Sequence, residues 1–400
     1  MKIIVSALFF IILIGIWLFI DFKLGRRSHR KEKGPDPLPF RSGNAFLLSK
    51  GNMLFESLFQ DIKDARDHIH ILFYIVREDA VSQDFFQLLM EKAGEGVEVR
   101  LLLDRIGCWK MSRKTLKKLR ESGVEIAASQ RMQPPFLFYS LNRRNHRKIA
   151  IFDGKTGYLG GFNIGKEYLG FDPKLGRWRD FHLRLTQDGV QDLQSQFLED
   201  WEKASGKKAG TAARYFPPLE KGPIKLQLVS TDGNLLEEAF CRLIDSAKNE
   251  IFIGTPYFIP GDQLFTSLLE AAGRGVRINI MVPLKADHPL VKEAAFPYFL
   301  PLIEAGCRIH QFYQGFYHTK VMVIDEEICD IGTANFDKRS LYLNQEMNCF
   351  IHDPAFISRV RAEIVADMER SDLLTIERLQ SRSLLHRGKE MTASLISELL

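Results

Sequence analysis

Two histidines, each followed two residues later by a lysine, hold the most visible chemistry in this chain of 400 residues. His146 to Asn163 reads HRKIAIFDGKTGYLGGFN, and His318 to Asn335 reads HTKVMVIDEEICDIGTAN. The stretches align without a gap: His146, Lys148, Asp153 and Asn163 in the first match His318, Lys320, Asp325 and Asn335 in the second. A neutral imidazole can attack phosphorus, and an imidazolium opposite can protonate the departing oxygen. In-line displacement needs these groups on opposite sides of phosphorus, so two histidines from two related halves suit a phosphodiester. The lysine ammoniums and the amides of Asn163 and Asn335 would hold the non-bridging oxygens, a role metals fill in other enzymes. A metal site is not expected, since lysine is not a usual ligand and no cysteine or carboxylate completes a short-spaced set. One H-x-K is ordinarily plain surface or core; two full copies in register point to one shared site.

The elements that must position these groups can be read nearby. Lys148 to Phe152 and Lys320 to Ile324 are short apolar runs rich in β-formers, as in strands buried on both faces. Asp153-Gly154 marks a tight turn and Tyr158 to Gly161 the returning strand. On a strand, residues i and i+2 share a face, so each histidine points with its lysine. Asp153 and Asp325, at odd spacing on the strand end, read first as turn and hydrogen-bonding residues. After each copy another strand is expected, Asp180 to Arg184 and Glu346 to Phe350. Its acidic residue would accept the Nδ1–H of its own half's histidine and leave Nε2 for phosphorus. Glu167 is a weaker candidate, with a plain place on a helix as the alternative.

The two copies match H-x-K-x4-D-x6-G-[GS]-x-N and resemble the phospholipase D superfamily, with Thr333 where many relatives carry Ser. Trp178-Arg-Asp-Phe-His182, Gly160 to Tyr168, Asn335 to Ser340 and Asn344-Gln-Glu346 are similar to bacterial cardiolipin synthases, and the likeness spans most of residues 46–370. It implies a duplicated phospholipase D-type α/β sandwich of two pseudo-twofold-related halves. By the same likeness His146, Lys148, Asp153, His318, Lys320 and Asp325 form the catalytic set, with Asn163, Asn335, Asp180 and Glu346 in support. The acidic residue that superfamily members carry after the motif supports Glu346 and, through the repeat, Asp180.

The rest of the chain agrees. Helix and strand patterns alternate from Asn52 to Ala127, as an α/β sheet requires. The second half repeats the order: Ile62 to Ile69 parallels Ile244 to Ile251, Ala93 to Val97 parallels Ala272 to Val276, and Glu121 to Val124 parallels Glu304 to Cys307. Ile3 to Ile20 carries no charge and is long enough to cross a bilayer, with no A-x-A site after it. Lys23, Arg26, Arg27, Arg30, Lys31 and Lys33 follow, so the positive-inside bias places the body in the cytoplasm. They would also attract anionic headgroups. Five cysteines, odd in number and without short pairs, fit free thiols in a reducing compartment. The expected organisation is an anchor (1–24), a basic, proline-rich linker with Pro35 (25–45), the first half (46–205), a linker (206–222), the second half (223–370) and a C-terminal helix (371–400). The aromatic runs Pro135 to Tyr139 and Phe312 to Tyr317 read equally as core strands or as segments that line an acyl-chain channel or rest at the bilayer interface. The end of the chain, with Arg378, Arg382 and Arg387, reads as a packing helix ahead of one that touches a membrane.

The expected activity is a cardiolipin synthase reaction at the cell membrane on phosphatidylglycerol, through a phosphatidyl-histidine and without metal or nucleotide cofactor. Which histidine attacks is left open by the residues; analogy favours His146. A hydrolytic phospholipase D shares every motif. A nucleic-acid phosphodiesterase is disfavoured, because the net charge of +5 is mild and no basic-aromatic tract is evident. An inactive scaffold is disfavoured by two complete His-Lys sets. Oligomeric state and acyl-chain preference have no sequence signal.

Overall fold

The computed structural model describes residues 2–31, 34, 37–208 and 213–399. Lys33, Pro35, residues 209–212 of the expected join, Leu400 and the side chain of Arg387 fall outside the described residues. Helix α1 (Lys2–His29) opens the chain. It is long and apolar enough to cross a membrane, and only 11% of its apolar window is buried. A helix stretch that is hydrophobic all round and mostly exposed suits a lipid environment.

The first half follows as β1 (Phe40–Leu48), α2 (Gly51–Asp64), β2 (His68–Phe73), α3 (Ala80–Gly94), β3 (Glu98–Asp104), α4 (Arg113–Glu121) and β4 (Glu125–Ser129). Then come α5 (Leu137–Asn142), β5 (Ile149–Phe152), β6 (Thr156–Gly160), β7 (Trp178–Arg179), β8 (His182–Gln187) and α6 (Val190–Ser205). The helix starts are set by short polar side chains: Asp79 accepts from the Ser82 N–H and Ser112 from the Thr115 N–H, which satisfies a free amide in each first turn.

The second half retraces that order as β9 (Ile224–Asp232), α7 (Leu236–Ser246), β10 (Glu250–Gly254), β11 (Phe258–Ile259), α8 (Asp262–Gly273), β12 (Arg277–Pro283), α9 (Val291–Glu304) and β13 (Arg308–Phe312). It continues through β14 (Phe316–Tyr317), β15 (Val321–Ile324), β16 (Ile328–Gly332), β17 (Phe336–Asp337), α10 (Lys338–Tyr342), β18 (Gln345–Ile351) and α11 (Pro354–Met368). Strand β19 (Ser371–Leu373) and helices α12 (Ile376–Gln380) and α13 (Leu384–Leu395) end the chain.

Among the described residues fifteen strands form one hydrogen-bonded series, β4-β3-β2-β5-β6-β8-β1-β9-β18-β16-β15-β10-β12-β13-β19. Apart from β19 the order is the same read outward from the centre. The centre is the antiparallel pair β1–β9, with Phe40 opposite Gln227 and Gly43 opposite Ile224. The outer strands β2-β3-β4 and β10-β12-β13 are parallel, as βα units dictate. Helices α6 and α11 cover one face and share a core drawn from both halves, in which Leu183 and Phe197 join Met347 and Phe356. Helices α2 to α4 and α7 to α9 pack into two separate cores, Leu54, Phe85 and Leu89 in one and Phe240, Leu268 and Phe299 in the other.

Three expectations are corrected. The stretch 25–45 is not a linker throughout: α1 runs on to His29, and β1 begins at Phe40 as the central strand of the molecule. Residues 371–399 are not one helix but a strand that adds to β13, followed by two helices. Pro135 to Tyr139 is not a strand; it leads into α5, which packs on α1, with the Tyr139 N–H donating to Asp21 at 2.8 Å.

Candidate active site

Each H-x-K lysine immediately precedes a strand that returns through a three-residue loop, Phe152 pairing with Thr156 and Ile324 with Ile328. At the turns Asp153 and Gly154 have φ of 53° and 63°, and Asp325 and Glu326 have φ of 49° and 60°. Paired positive φ values mark the hairpin turn whose twist matches its strands. The Asp153 carboxylate accepts from the backbone N–H groups of Arg66, Asp67 and His68, and Asp325 from those of Lys248, Asn249 and Glu250. Both aspartates thus pin the hairpin to the start of the next strand. Five residues past the lysine they stand ~16 Å from it along the strand, and neither lines the cleft described below. The geometry gives them a scaffolding place in the set, not a place at the reacting atoms.

The histidines precede these strands on segments that cross to the opposite half. Strand β14 runs parallel to β7, and the His318 N–H donates to the Arg179 carbonyl at 2.7 Å. In the related position Asn145 bridges to Gln345, and the His146 N–H donates to the Gln345 carbonyl at 2.9 Å. Each histidine therefore lies beside the acidic residue of the other half. His146 Nδ1 is 2.9 Å from both carboxylate oxygens of Glu346, and His318 Nδ1 is 2.6 Å from Asp180 Oδ2. This corrects the expectation that each acid serves its own half. An ionised carboxylate only accepts, so Nδ1 carries the proton and Nε2 is left bare.

The carboxylates are held in turn. Glu346 accepts from the Thr333 hydroxyl at 2.6 Å and the Asn344 amide at 3.3 Å, while Asp180 accepts from the Phe181 N–H at 2.8 Å. Thr333 and Gly161 occupy the same place in the two copies. A Cβ on Gly161 would stand 2.1 Å from Asp180 Oδ1, so only glycine fits there. A buried guanidinium braces each pair. Arg147 grips Asp200 of α6 at 2.7 and 2.8 Å and the Glu346 carbonyl at 3.1 Å; Arg179 grips Asp367 of α11 at 2.9 and 2.6 Å. Rings fix the imidazole planes: Tyr74 meets His146 edge-on with centroids 4.8 Å apart, and Trp178 lies 4.8 Å from His318.

Burial pushes both imidazoles down to about 4; the facing carboxylates oppose this and the neighbouring lysines add to it. Both rings are accordingly neutral near pH 7. Burial also lowers Lys320 to about 8, against the pull of Asp180 and Glu346, and lowers Lys148 well below its ordinary value. Burial alone would raise Glu346 and Asp180, yet both sit below the usual range. His146 is the chief opposing influence on Glu346, and Lys320 ahead of His318 on Asp180.

Both histidines line one cleft of about 660 Å³, together with Asn163 and Asn335. Lys148 and Lys320 lie buried behind the rings and donate to the carbonyls of their own histidines at 2.7 and 2.5 Å. Lys320 Nζ also comes within 3.1 Å of His318 Nε2. Asn163 accepts from the Ile75 N–H through Oδ1 and also meets the Tyr168 hydroxyl, whereas Asn335 donates to Asp337. Glu167 lines the cleft paired to Arg77 at 3.0 Å. Several cleft residues are not singled out by the sequence, among them Tyr74, Asp287 and Arg144. Arg144 stands two before His146, so the period of two that joins His146 to Lys148 extends back to it. Arg339, from α10, lies in the segment Asn335 to Ser340 that carries the likeness, yet the likeness gives it no role there.

Comparison with known proteins places this arrangement. A family model described as cardiolipin synthase, PLD-like domain, matches residues 58–201 and 240–368. The minor cardiolipin synthase of Bacillus subtilis strain 168 is 40% identical over 400 residues, covering 100% of both chains. A cardiolipin synthase of Alkalihalophilus pseudofirmus is 37% identical over 94% of this chain and 76% of its own. Among solved structures, a phosphatidylserine synthase from Haemophilus influenzae superposes with a TM-score of 0.69 at 16% identity, over 91% of this chain and 97% of its own. A polyphosphate kinase from Porphyromonas gingivalis follows at a TM-score of 0.55 and 16% identity, over 87% of this chain and 53% of that one. These two likenesses concern the fold. With both halves matched by the family model and a relative aligned end to end, the chain belongs to the cardiolipin synthase family with phospholipase D-like domains.

Proposed function

We propose that this protein is a cardiolipin synthase that transfers a phosphatidyl group from one phosphatidylglycerol to another. The observation that carries the reading is the pair of histidines on one cleft, each with Nδ1 against a carboxylate from the opposite half. Family membership supplies the substrate class.

In the first step Nε2 of one histidine attacks phosphorus and the bond to the glycerol headgroup breaks. The opposing imidazolium gives its proton to the departing glycerol oxygen. Both rings are neutral in the free cleft, so the acid's proton must come with the substrate: the phosphodiester anion raises the affinity of one ring for it. Lys148, Lys320 and the Asn163 amide spread the charge of the phosphoryl oxygens, with Asn335 and Asp337 bracing the facing side. In the second step the now neutral acid takes the proton of a hydroxyl on a second phosphatidylglycerol, whose oxygen attacks phosphorus as the nitrogen–phosphorus bond breaks. One cardiolipin and one glycerol leave for two phosphatidylglycerols consumed. The phosphodiester energy is exchanged, so no nucleotide enters. We further propose that α1 anchors the enzyme with its catalytic body on the cytoplasmic side, on the strength of the basic residues from Lys23 to Lys31.

The decisive experiment gives purified protein phosphatidylglycerol labelled in the headgroup and in the acyl chains. Cardiolipin and free glycerol in equal amounts support the transferase. Phosphatidic acid without cardiolipin would replace it with hydrolysis.

A further inference from the structure

The last residues of the chain lie between α1 and the cleft. Glu398 pairs with Lys23 at 3.2 Å and Arg26 at 2.7 Å, Lys338 donates to the Ser397 hydroxyl at 3.1 Å, and Arg339 donates to the Leu399 carbonyl at 3.0 Å. These bonds draw the tail across a cavity of about 480 Å³, within the ~300–1,000 Å³ typical of small-molecule sites. Its walls are apolar: Leu18, Phe19 and Phe22 of α1, Phe138 of α5, and Leu395 and Ile396 of the tail. Its polar lining is Lys23, Lys338, Ser394, Ser397 and Glu398. Leu399 lines both this cavity and the cleft of the two histidines.

We propose that this cavity is an acyl-chain site for the lipid substrate, with the C-terminal tail as its outer wall. The inference rests on the reading that a glycerophospholipid is the substrate and adds where its chain is held. Three observations commit the occupant. First, the α1 wall runs from Gly15 to Lys23, which at 1.5 Å per residue is ~12 Å, close to the depth of one leaflet. Second, the lining sets two ammoniums, Lys23 and Lys338, against one carboxylate, Glu398, a net positive charge that suits an anionic headgroup joined to a hydrocarbon chain. Third, Leu399 alone among the apolar residues belongs to both spaces, so a chain in one is continuous with a headgroup in the other.

The test uses full-length protein in proteoliposomes with phosphatidylglycerol bearing a diazirine near the end of one acyl chain. Photolysis is expected to label Phe138, Ile396 or the buried Phe22. Label confined to the outward-facing Phe9 and Phe10 overturns the site. Gly15→Trp fills the cavity from a position where a Cβ meets nothing within 4 Å, and Ile396→Trp fills it from the tail should the first variant fail to insert. Either is expected to cut turnover of long-chain phosphatidylglycerol at least tenfold while leaving a soluble dihexanoyl substrate within twofold. Equal losses on both substrates refute the site. If the wild type is labelled in the cavity yet makes no cardiolipin, the acyl site stands and the synthase reading falls.

Discussion

In the proposed mechanism Asp180 and Glu346 each fix the Nδ1 proton of one imidazole, and the carboxylate beside the acid offsets the charge that forms there. Asp180→Asn and Glu346→Gln keep the shape and remove the charge. Each is expected to lower kcat on the order of 10²–10⁴-fold with KM changed little, since the loss falls on the transition state. The histidines themselves are told apart by leaving group. Alanine at the nucleophile abolishes labelling by an activated nitrophenyl ester, whereas alanine at the acid leaves it, because nitrophenolate departs without a proton. Equal labelling of His146→Ala and His318→Ala would exclude both as nucleophile. Lys320 sets the alkaline side of the pH profile. With its folded value lowered to about 8, the cation is present below that pH and lost as pH rises through it. The kcat/KM profile is therefore expected to fall above about pH 8, with the kcat limb displaced upward because bound phosphate favours the ammonium. Lys320→Arg should move the kcat/KM limb out of range; a limb unmoved by that change would assign it to another group. The motif spacing made both His-Lys pairs and both acids legible. It could not show which acid meets which histidine, because a repeat reveals equivalent positions, and a twofold axis pairs positions across the repeat.

Elements explain that exchange. The two-residue strands β7 and β14 align the acid of one half with the histidine of the other, and strands so short leave no periodic trace to read. Strand β1 was hidden for a related reason: Pro39 precedes it, Gly43 interrupts it, and its FRSGNAFLL pattern lacks clean alternation. By contrast β2, β5 and β15 are buried at every residue and read plainly as apolar runs. Arg147 and Arg179 brace the crossing segments from α6 and α11. Removing one partner of a buried pair strands the other, at a cost of about 3–5 kcal/mol. Asp200→Ala and Asp367→Ala are each expected to lower Tm and to reduce turnover of the remaining folded enzyme. A variant with unchanged Tm would show that Arg147 or Arg179 finds another acceptor.

At the scale of the molecule, α1 is docked as well as apolar. A Cβ on Gly25 would stand 2.5 Å from Tyr139, and Arg26 stacks 4.5 Å from the Tyr342 ring. Gly25→Leu is expected to part α1 from α5, seen as faster hydrogen exchange at Tyr139, whose N–H donates to Asp21. Turnover of membrane-borne lipid should fall more than that of soluble substrate. The cytoplasmic placement is tested by protease added to spheroplasts, which should leave the catalytic body uncut; digestion from outside would reverse the topology.

The crosswise dyads carry a consequence for how such a chain arose. A single ancestral half would hold a histidine and an acid that do not meet, so its chemistry would begin only when two copies associated, and dilution would switch it off. Joining the copies into one chain between α6 and β9 turns that bimolecular encounter into an intramolecular one with a high effective concentration. Fusion also freed the copies to diverge. Gly161 beside an aspartate and Thr333 beside a glutamate are such a divergence, open to a chain in which attacker and proton donor need no longer be identical.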